Sequence, residues 1–439
     1  MQTQAVFGLR AFDNRIFRRV LLALVGIPVA MVYAWRVVIE PLALGTYLSD
    51  FQESYMRAAG RLAANLDPYD LCATMGCQEP TGPQYVMPPL LAWLLQPLVG
   101  VDSREVAAAV VIVLNLSLAA FLVCALRALE VRDRELAALL VITALSFGPV
   151  IGNIDEGQVN LVLLALSGLW LMSWISGRWW GGAPLALAVA LKVIQAPVGL
   201  LLIWGRRWSM LVATAVTGVA LALLAAPQYL FEYLLKVLPV VGAGTGIFEN
   251  HSPGGTITRL IEPATFFGAQ RGSPPLARVI TVVVALAALL ITFAVLRAPA
   301  RDRVGRSLEA AAIVAVGPMV ATYSWGTHLV LLLLPMLVLV AWGVRNRDWT
   351  VLALVAASSL LIGPGEQQLQ TLLVSGYSNV VVLRMLGEMG LAGVVAVWVA
   401  CLLAVRRERS RAMKASGASV RARGPARAPY SSGVSSDDR

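Results

Sequence analysis

Apolar runs of about 15–25 residues recur along the whole chain, separated by short, often arginine-rich segments. Wound as α-helix at 1.5 Å per residue, such runs reach about 22 to 38 Å, the scale of a hydrocarbon core roughly 30 Å thick. In lipid every backbone polar group must find its partner within the protein, so spanning segments are helices or closed barrels. A barrel would need alternating segments of about ten residues, and these are absent. Charged residues make up only 14% of the 439, against roughly 25% in a soluble domain. The expected fold class is an all-α polytopic membrane protein.

The formal net charge of +10 would suit a nucleic-acid partner. The arginines, however, sit in short clusters between apolar runs, where the positive-inside rule places them, so no nucleic-acid partner is expected. The first apolar run is span-length and lacks a small-residue cleavage site, which predicts a retained anchor. Cys124 and Cys401 lie in apolar runs and read as packing residues. Cys72 and Cys77 share one loop, where a short disulfide and two free thiols are both open readings.

Arg10, Arg15, Arg18 and Arg19 predict a cytoplasmic N-terminus, followed by span 1 at about 17–39 and a long outer region at 40–103. Within that region Asp50 to Asn65 reads as a helix along the membrane surface. Phe51, Tyr55, Ala58, Ala59 and Leu62 form its apolar face; Gln52, Glu53, Arg57 and Arg61 form the polar one. Residues 86–100, which include Met87-Pro88-Pro89, are too short to cross and read as a re-entrant or tilted helix. Spans at about 104–127 and 136–151 precede a polar outer loop, and the next span ends at Arg178. Arg178 and the pair Arg206-Arg207 flank 182–205, which Lys192 and Pro197 interrupt; this favours two short helices with both ends inside, a single kinked span being the alternative. After a span at about 209–226 comes a second outer loop, 227–276, and then spans at about 277–296, 308–322, 328–344, 349–363 and 377–405. This gives about twelve spans, both termini cytoplasmic, a membrane domain over 1–405 and a disordered basic tail over 406–439.

On this topology Asp50, Asp155, Glu156, Lys192, Asn250, His251, Arg259 and His328 all fall on the extracytoplasmic side. Ser49 or Asp50 reads as a helix cap, with Glu53 completing a capping box; the other reading of Asp50 is a general base for a sugar hydroxyl. Lys192 lies deep in an apolar run; it either snorkels to an interface or supplies a cation for a phosphate. Arg259 is the second candidate cation, or a solvated loop charge. Asp155-Glu156-Gly157-Gln158 is either a polar turn or a substrate contact. His251 and His328 are the only histidines and have no zinc-ligand spacing, so no metal and no cofactor are expected. Phosphate-loop, dinucleotide and Ser-His-Asp signatures are absent, which disfavours ATP-driven and hydride chemistry.

Taken in order, these residues resemble glycosyltransferase family 87, polytopic enzymes of the GT-C class that include actinobacterial polyprenyl-phosphomannose-dependent α-mannosyltransferases. The resemblance covers most of 17–345. Asp50 matches the family's catalytic aspartate. Tyr85-Val86-Met87-Pro88-Pro89 stands at a Tyr-Pro-Pro helix start, with Met87 in place of the tyrosine. Gly157-Gln158-Val159-Asn160 matches a Gly-Gln-hydrophobic-Asn signature, and Lys192 a lysine in the short-helix pair, the following proline being displaced to Pro197. Asn250-His251-Ser252 with Gly255 and Arg259 resembles Asn-Gln-Ser…Gly…Arg. Ser324-Trp325-Gly326-Thr327-His328 resembles Ser-Trp-Thr-His-His, with an inserted glycine and one histidine fewer.

The resemblance implies a GT-C-like bundle that moves a sugar, with inversion, from a polyprenyl-phosphate donor to a glycolipid or lipoglycan acceptor at the outer face of the cell membrane. It implies Asp50 and His328 as catalytic residues and Lys192 and Arg259 on the donor phosphate. Asp155, Glu156, Gln158, Asn160, Asn250, His251 and Ser252 would bind substrate. An arabinosyl donor and a lipid or solute transporter are the alternative readings; a transporter would place charges near the bilayer midplane and show repeat symmetry.

Overall fold

The computed structural model describes residues 15–69, 85–266, 272–376 and 379–422, and among them there are helices and loops but no strand. Cys72 and Cys77 lie outside the described residues; Cys124 and Cys401 are buried free thiols.

Among the described residues, five helices are long and apolar enough to cross a membrane: α1 (Arg15–Leu44), Ser103–Ala128, Pro275–Leu296, Gly326–Asn346 and Val380–Lys414. The number is seven if each of two bent pairs is one span: Arg134–Leu145 with Gly148–Asp155, bent by 49°, and Trp208–Leu224 with Pro227–Gly242, bent by 107°. The chain is therefore a membrane-embedded helical protein, but the twelve spans expected from apolar run length are not all long helices. Several runs resolve into helices of 10–17 residues, and a ten-residue helix reaches only about 15 Å.

The helix Gly326–Asn346 occupies the centre of the bundle. Its residues are apolar all round and Leu329 to Trp342 are buried throughout, as a helix surrounded by other helices requires. α1 lies at the other extreme, with Leu24, Ile27, Met31, Val32 and Trp35 exposed, a face suited to lipid. The helices Gly148–Asp155 and Trp349–Val374 touch backbone to backbone: a Cβ on Gly148 would stand 2.6 Å from the Gly363 Cα.

The bundle has two chemically distinct ends. At one, Arg306 donates to the Ile175 carbonyl at 2.7 Å and Arg345 to that of Leu129 at 2.7 Å. Arg18 pairs with Glu135 at 2.9 Å. The last helix belongs to this end beyond residue 405, because Arg407 pairs with Asp348 and Trp342 donates to Glu408 at 2.9 Å. That helix continues to Ala422; residues 423–439 lie outside the described residues. The opposite end gathers the loops at 45–50, 156–158 and 321–328, and it carries the polar cavity.

The segment 178–207 connects the two ends. The helix Trp179–Leu191 starts against the beginning of Trp208–Leu224, where a Cβ on Gly182 would meet the Met210 carbonyl at 2.3 Å. It leads to Lys192, whose backbone is extended (φ −159°, ψ 119°) and breaks the helix. The helix Val198–Trp204 then returns to Arg207, which lies 5.4 Å over the ring of Trp174. Both feet of this pair stand at the arginine end, as positive-inside reasoning predicts, and Lys192 is its apex.

Candidate active site

Asp50 begins the short helix of residues 51–63, which starts with a π-helical turn, Phe51–Met56. Asp50 has helical backbone angles (φ −66°, ψ −36°) and its side chain caps nothing. The capping reading of Asp50 therefore fails. Glu53 is not part of a capping box either; it accepts a hydrogen bond from the Tyr47 hydroxyl at 2.6 Å. The Asp50 carboxylate instead accepts a hydrogen bond from Gln158 Nε2.

Gln158 is the centre of a buried network. Its Oε1 accepts from the Tyr55 hydroxyl at 2.6 Å and from Lys192 Nζ at 3.2 Å. Lys192 also donates to Asn160 Oδ1 at 3.0 Å, and Asn160 donates to the Thr327 carbonyl at 3.3 Å. Asn153 joins at the same carbonyl, at 2.7 Å. A polar chain thus runs from Asp50 through Gln158, Lys192 and Asn160 to the residue before His328.

The local backbone is built to allow this. Phe51 N–H donates to the Glu156 carbonyl at 3.1 Å, so the two polar loops are joined directly. Gly157 has a positive φ of 71°, and a Cβ there would stand 2.6 Å from that of Phe51 and 2.9 Å from that of Leu48. Gly157→Ala therefore combines left-handed backbone strain of about 1–2 kcal/mol with a push on the segment that carries Asp50. We expect a lower melting temperature and a lower activity together; unchanged values of both would show that the contact yields.

Asp50, Glu156, Gln158, Lys192 and His328 line one cavity of about 660 Å³. Much of the remaining wall is apolar or aromatic: Met87 and Pro88, Val193 and Pro197 beside the apex lysine, and Tyr233 and Leu238 from the helix segment Pro227–Gly242. Tyr233 continues a row of rings, 6.1 Å from Tyr69, which stacks on Tyr85 at 5.7 Å; Tyr85 in turn lies 6.3 Å from Tyr55. Burial pushes the Asp50 carboxyl up from the ordinary carboxylate range; the Gln158 bond and the Lys192 charge oppose this shift, and Glu53 adds to it. His328 is buried, and among the described residues its Nδ1 has no hydrogen-bond partner.

The other predicted site residues lie elsewhere. Arg259 does not line this cavity. It makes a two-pronged ion pair with Glu388, at 2.7 and 3.0 Å, and donates to the carbonyls of Ile247 and Asn250 at 2.9 and 3.1 Å. Its guanidinium is thus committed to holding a loop against the last helix. Asn250 fastens the same loop to the 321–328 segment: it donates to Thr245 and Thr322 carbonyls at 2.9 and 3.0 Å and accepts from Ser324 N–H at 3.0 Å. Ser252 caps the helix Pro253–Ile261, and His251 packs against Gly390, where a Cβ would approach its Nδ1 to 2.4 Å. Asp155 lies outside the cavity and interacts electrostatically with Arg36 of α1. Conversely, Tyr55, Tyr233, Glu249 and Tyr323 line the cavity without having been singled out from sequence. Tyr55 lies on the apolar helix face, where periodicity cannot reveal a hydrogen-bonding hydroxyl. No group of three or more potential metal ligands occurs among the described residues.

These features define a membrane-embedded helical protein with an acid, an amide and a buried ammonium facing one cavity at one end of its bundle. The chain belongs to Glycosyltransferase family 87, whose profile matches residues 85–322, and it is therefore a glycosyltransferase. The matched segment includes Gln158, Asn160, Lys192 and Arg259; Asp50 and His328 lie just outside it and are brought to it by the fold. No curated protein matches the chain.

Proposed function

We propose that the protein transfers a sugar, with mannose as first candidate, from a polyprenyl-phosphate donor to a glycolipid or lipoglycan acceptor, with inversion at the anomeric carbon. The observation that carries this reading is the pairing of Asp50 and Lys192 across one cavity, bridged by Gln158. The acceptor oxygen attacks C1 as Asp50 removes its proton. The bond from C1 to the phosphate oxygen breaks, and the polyprenyl phosphate departs with the bonding pair. A β-linked donor gives an α-linked product. Lys192 stabilises the charge that develops on the leaving phosphate, and it acts in a water-poor site where a fixed cation is most effective. His328 is assigned to the same reacting end, steering Asp50 or the phosphate. Glu156, Gln158 and Asn160 contact sugar or phosphate directly or through Lys192. Asp155, Asn250, His251, Ser252 and Arg259 support the substrate site from behind its walls. The apolar arm at Met87, Pro88 and Leu238 suits the first isoprene units of the donor.

The arginine end faces the cytoplasm by the positive-inside rule, which sets the cavity toward the extracytoplasmic side of the cell membrane. The short apolar helices complete a GT-C-type bundle, some crossing as short spans and the Lys192 pair re-entering. Purified protein in lipid nanodiscs, given labelled polyprenyl-phosphomannose and polyprenyl-phosphoarabinose with extracted envelope glycolipids, is expected to form an α-linked mannosylated product. Product from the arabinosyl donor alone would replace the sugar assignment; solute flux without product would favour transport. In the same assay the rate should fall on acidification with a midpoint above the ordinary carboxylate range, because burial raises the Asp50 pKa and the base works only when deprotonated. A rate independent of pH down to that ordinary range would remove Asp50 as the base.

A further inference from the structure

We infer that Tyr55 is a positioning residue for Asp50, acting through Gln158; the inference rests on the reading of Asp50 as the base. An amide side chain can be turned by 180° with little change of shape, which would present its oxygen, instead of its NH₂, to the carboxylate. Here the Lys192 ammonium, which can only donate, takes the amide oxygen at 3.2 Å, and the Tyr55 hydroxyl donates to the same oxygen at 2.6 Å. With Oε1 held from two sides, Nε2 must point at Asp50.

Tyr55 is buried, and its ring is set by edge contacts with Phe51 at 6.2 Å and Tyr85 at 6.3 Å. The hydroxyl is therefore delivered by a rigid body. Donation to Oε1 also polarises the amide and strengthens the bond from Nε2 to the carboxylate. Tyr55 thus favours the ionised, correctly aimed form of Asp50 without touching substrate at the reacting carbon. The other charged groups about Asp50 are Glu53 on its own helix, Glu156 from the joined loop and Lys192 from the re-entrant apex; Glu249 and His328 line the same cavity. None of these fixes the Gln158 amide except Lys192.

Tyr55→Phe keeps the ring and removes only the hydroxyl. Initial rates against pH would be compared for wild type, Tyr55→Phe and Asp50→Asn in nanodiscs. The protonated-carboxyl infrared band of Asp50, identified by its loss in Asp50→Asn, would be titrated in parallel. Tyr55→Phe should lower kcat roughly 3–10-fold, the scale of one hydrogen bond, leave the donor KM near its wild-type value, and move both the acid limb and the infrared titration upward in pH. A rate profile and infrared titration superimposable on wild type, or a rise in KM alone, would overturn the inference. An active Asp50→Asn would instead overturn the reading of Asp50 as base, and the infrared titration would still decide whether Tyr55 controls that carboxyl.

Discussion

Asp50→Asn is expected to reduce sugar transfer by about 10²–10⁴-fold, the usual contribution of a positioned general base, without unfolding the protein. Asparagine matches the shape of the aspartate, and its side-chain oxygen can still accept from Gln158 Nε2. What it cannot do is take a proton from the acceptor hydroxyl. Donor binding should therefore survive, and the loss should appear in kcat. The measurement is turnover of labelled lipid-linked sugar, with donor affinity read separately by binding to the same nanodiscs. Wild-type turnover by the variant would sink the base assignment.

Lys192→Met should produce the second largest effect, a loss of about 10²–10³-fold in kcat/KM, the scale seen when one fixed stabiliser of a developing anion is removed. Methionine approximates the length of the lysine stem without its charge. Removing the ammonium leaves Asn160 Oδ1 without that donor, while Gln158 Oε1 keeps Tyr55. Against these losses stands the relief of a desolvated charge, which is costly to bury. The melting temperature should therefore shift by only a few degrees while activity collapses. Full activity would show that the phosphate is met by something other than this cation; collapse of the fold would show that Lys192 acts mainly as a structural tie.

Much of this site can be read from the chain itself, because a membrane protein leaves few polar residues unexplained. Asp50, Gln158 and Lys192 stand out against apolar surroundings, and all three line the same cavity. The orientation of the Lys192 helix pair is also legible, since its flanking arginines constrain both feet. Tyr55 is not, because a tyrosine on the apolar face of an amphipathic helix satisfies the hydrophobic pattern whether or not its hydroxyl has a task. Arg259 misleads for a different reason. Its neutralising partner, Glu388, lies 129 residues away, and a long-range pair leaves no local signature. Asn250 likewise looks like a substrate contact until its backbone partners in the 321–328 segment are seen. Apolar run length alone does not say which runs form long unbroken helices, because it does not reveal a bend such as the one after Leu224.

The hairpin that ends at Lys192 also bears on how the protein enters its membrane. Delivering a positive charge to a deep cavity with an ordinary crossing would carry the flanking arginine pair to the far side. Each such residue costs roughly 2.5–3.5 kcal/mol when it passes the centre of the bilayer on insertion scales. By turning back at the lysine, the chain keeps Arg178, Arg206 and Arg207 together at one end of the bundle, so that none of the three need cross the bilayer. Only one ammonium is committed to the interior, and that group finds Gln158 and Asn160 waiting once the bundle closes.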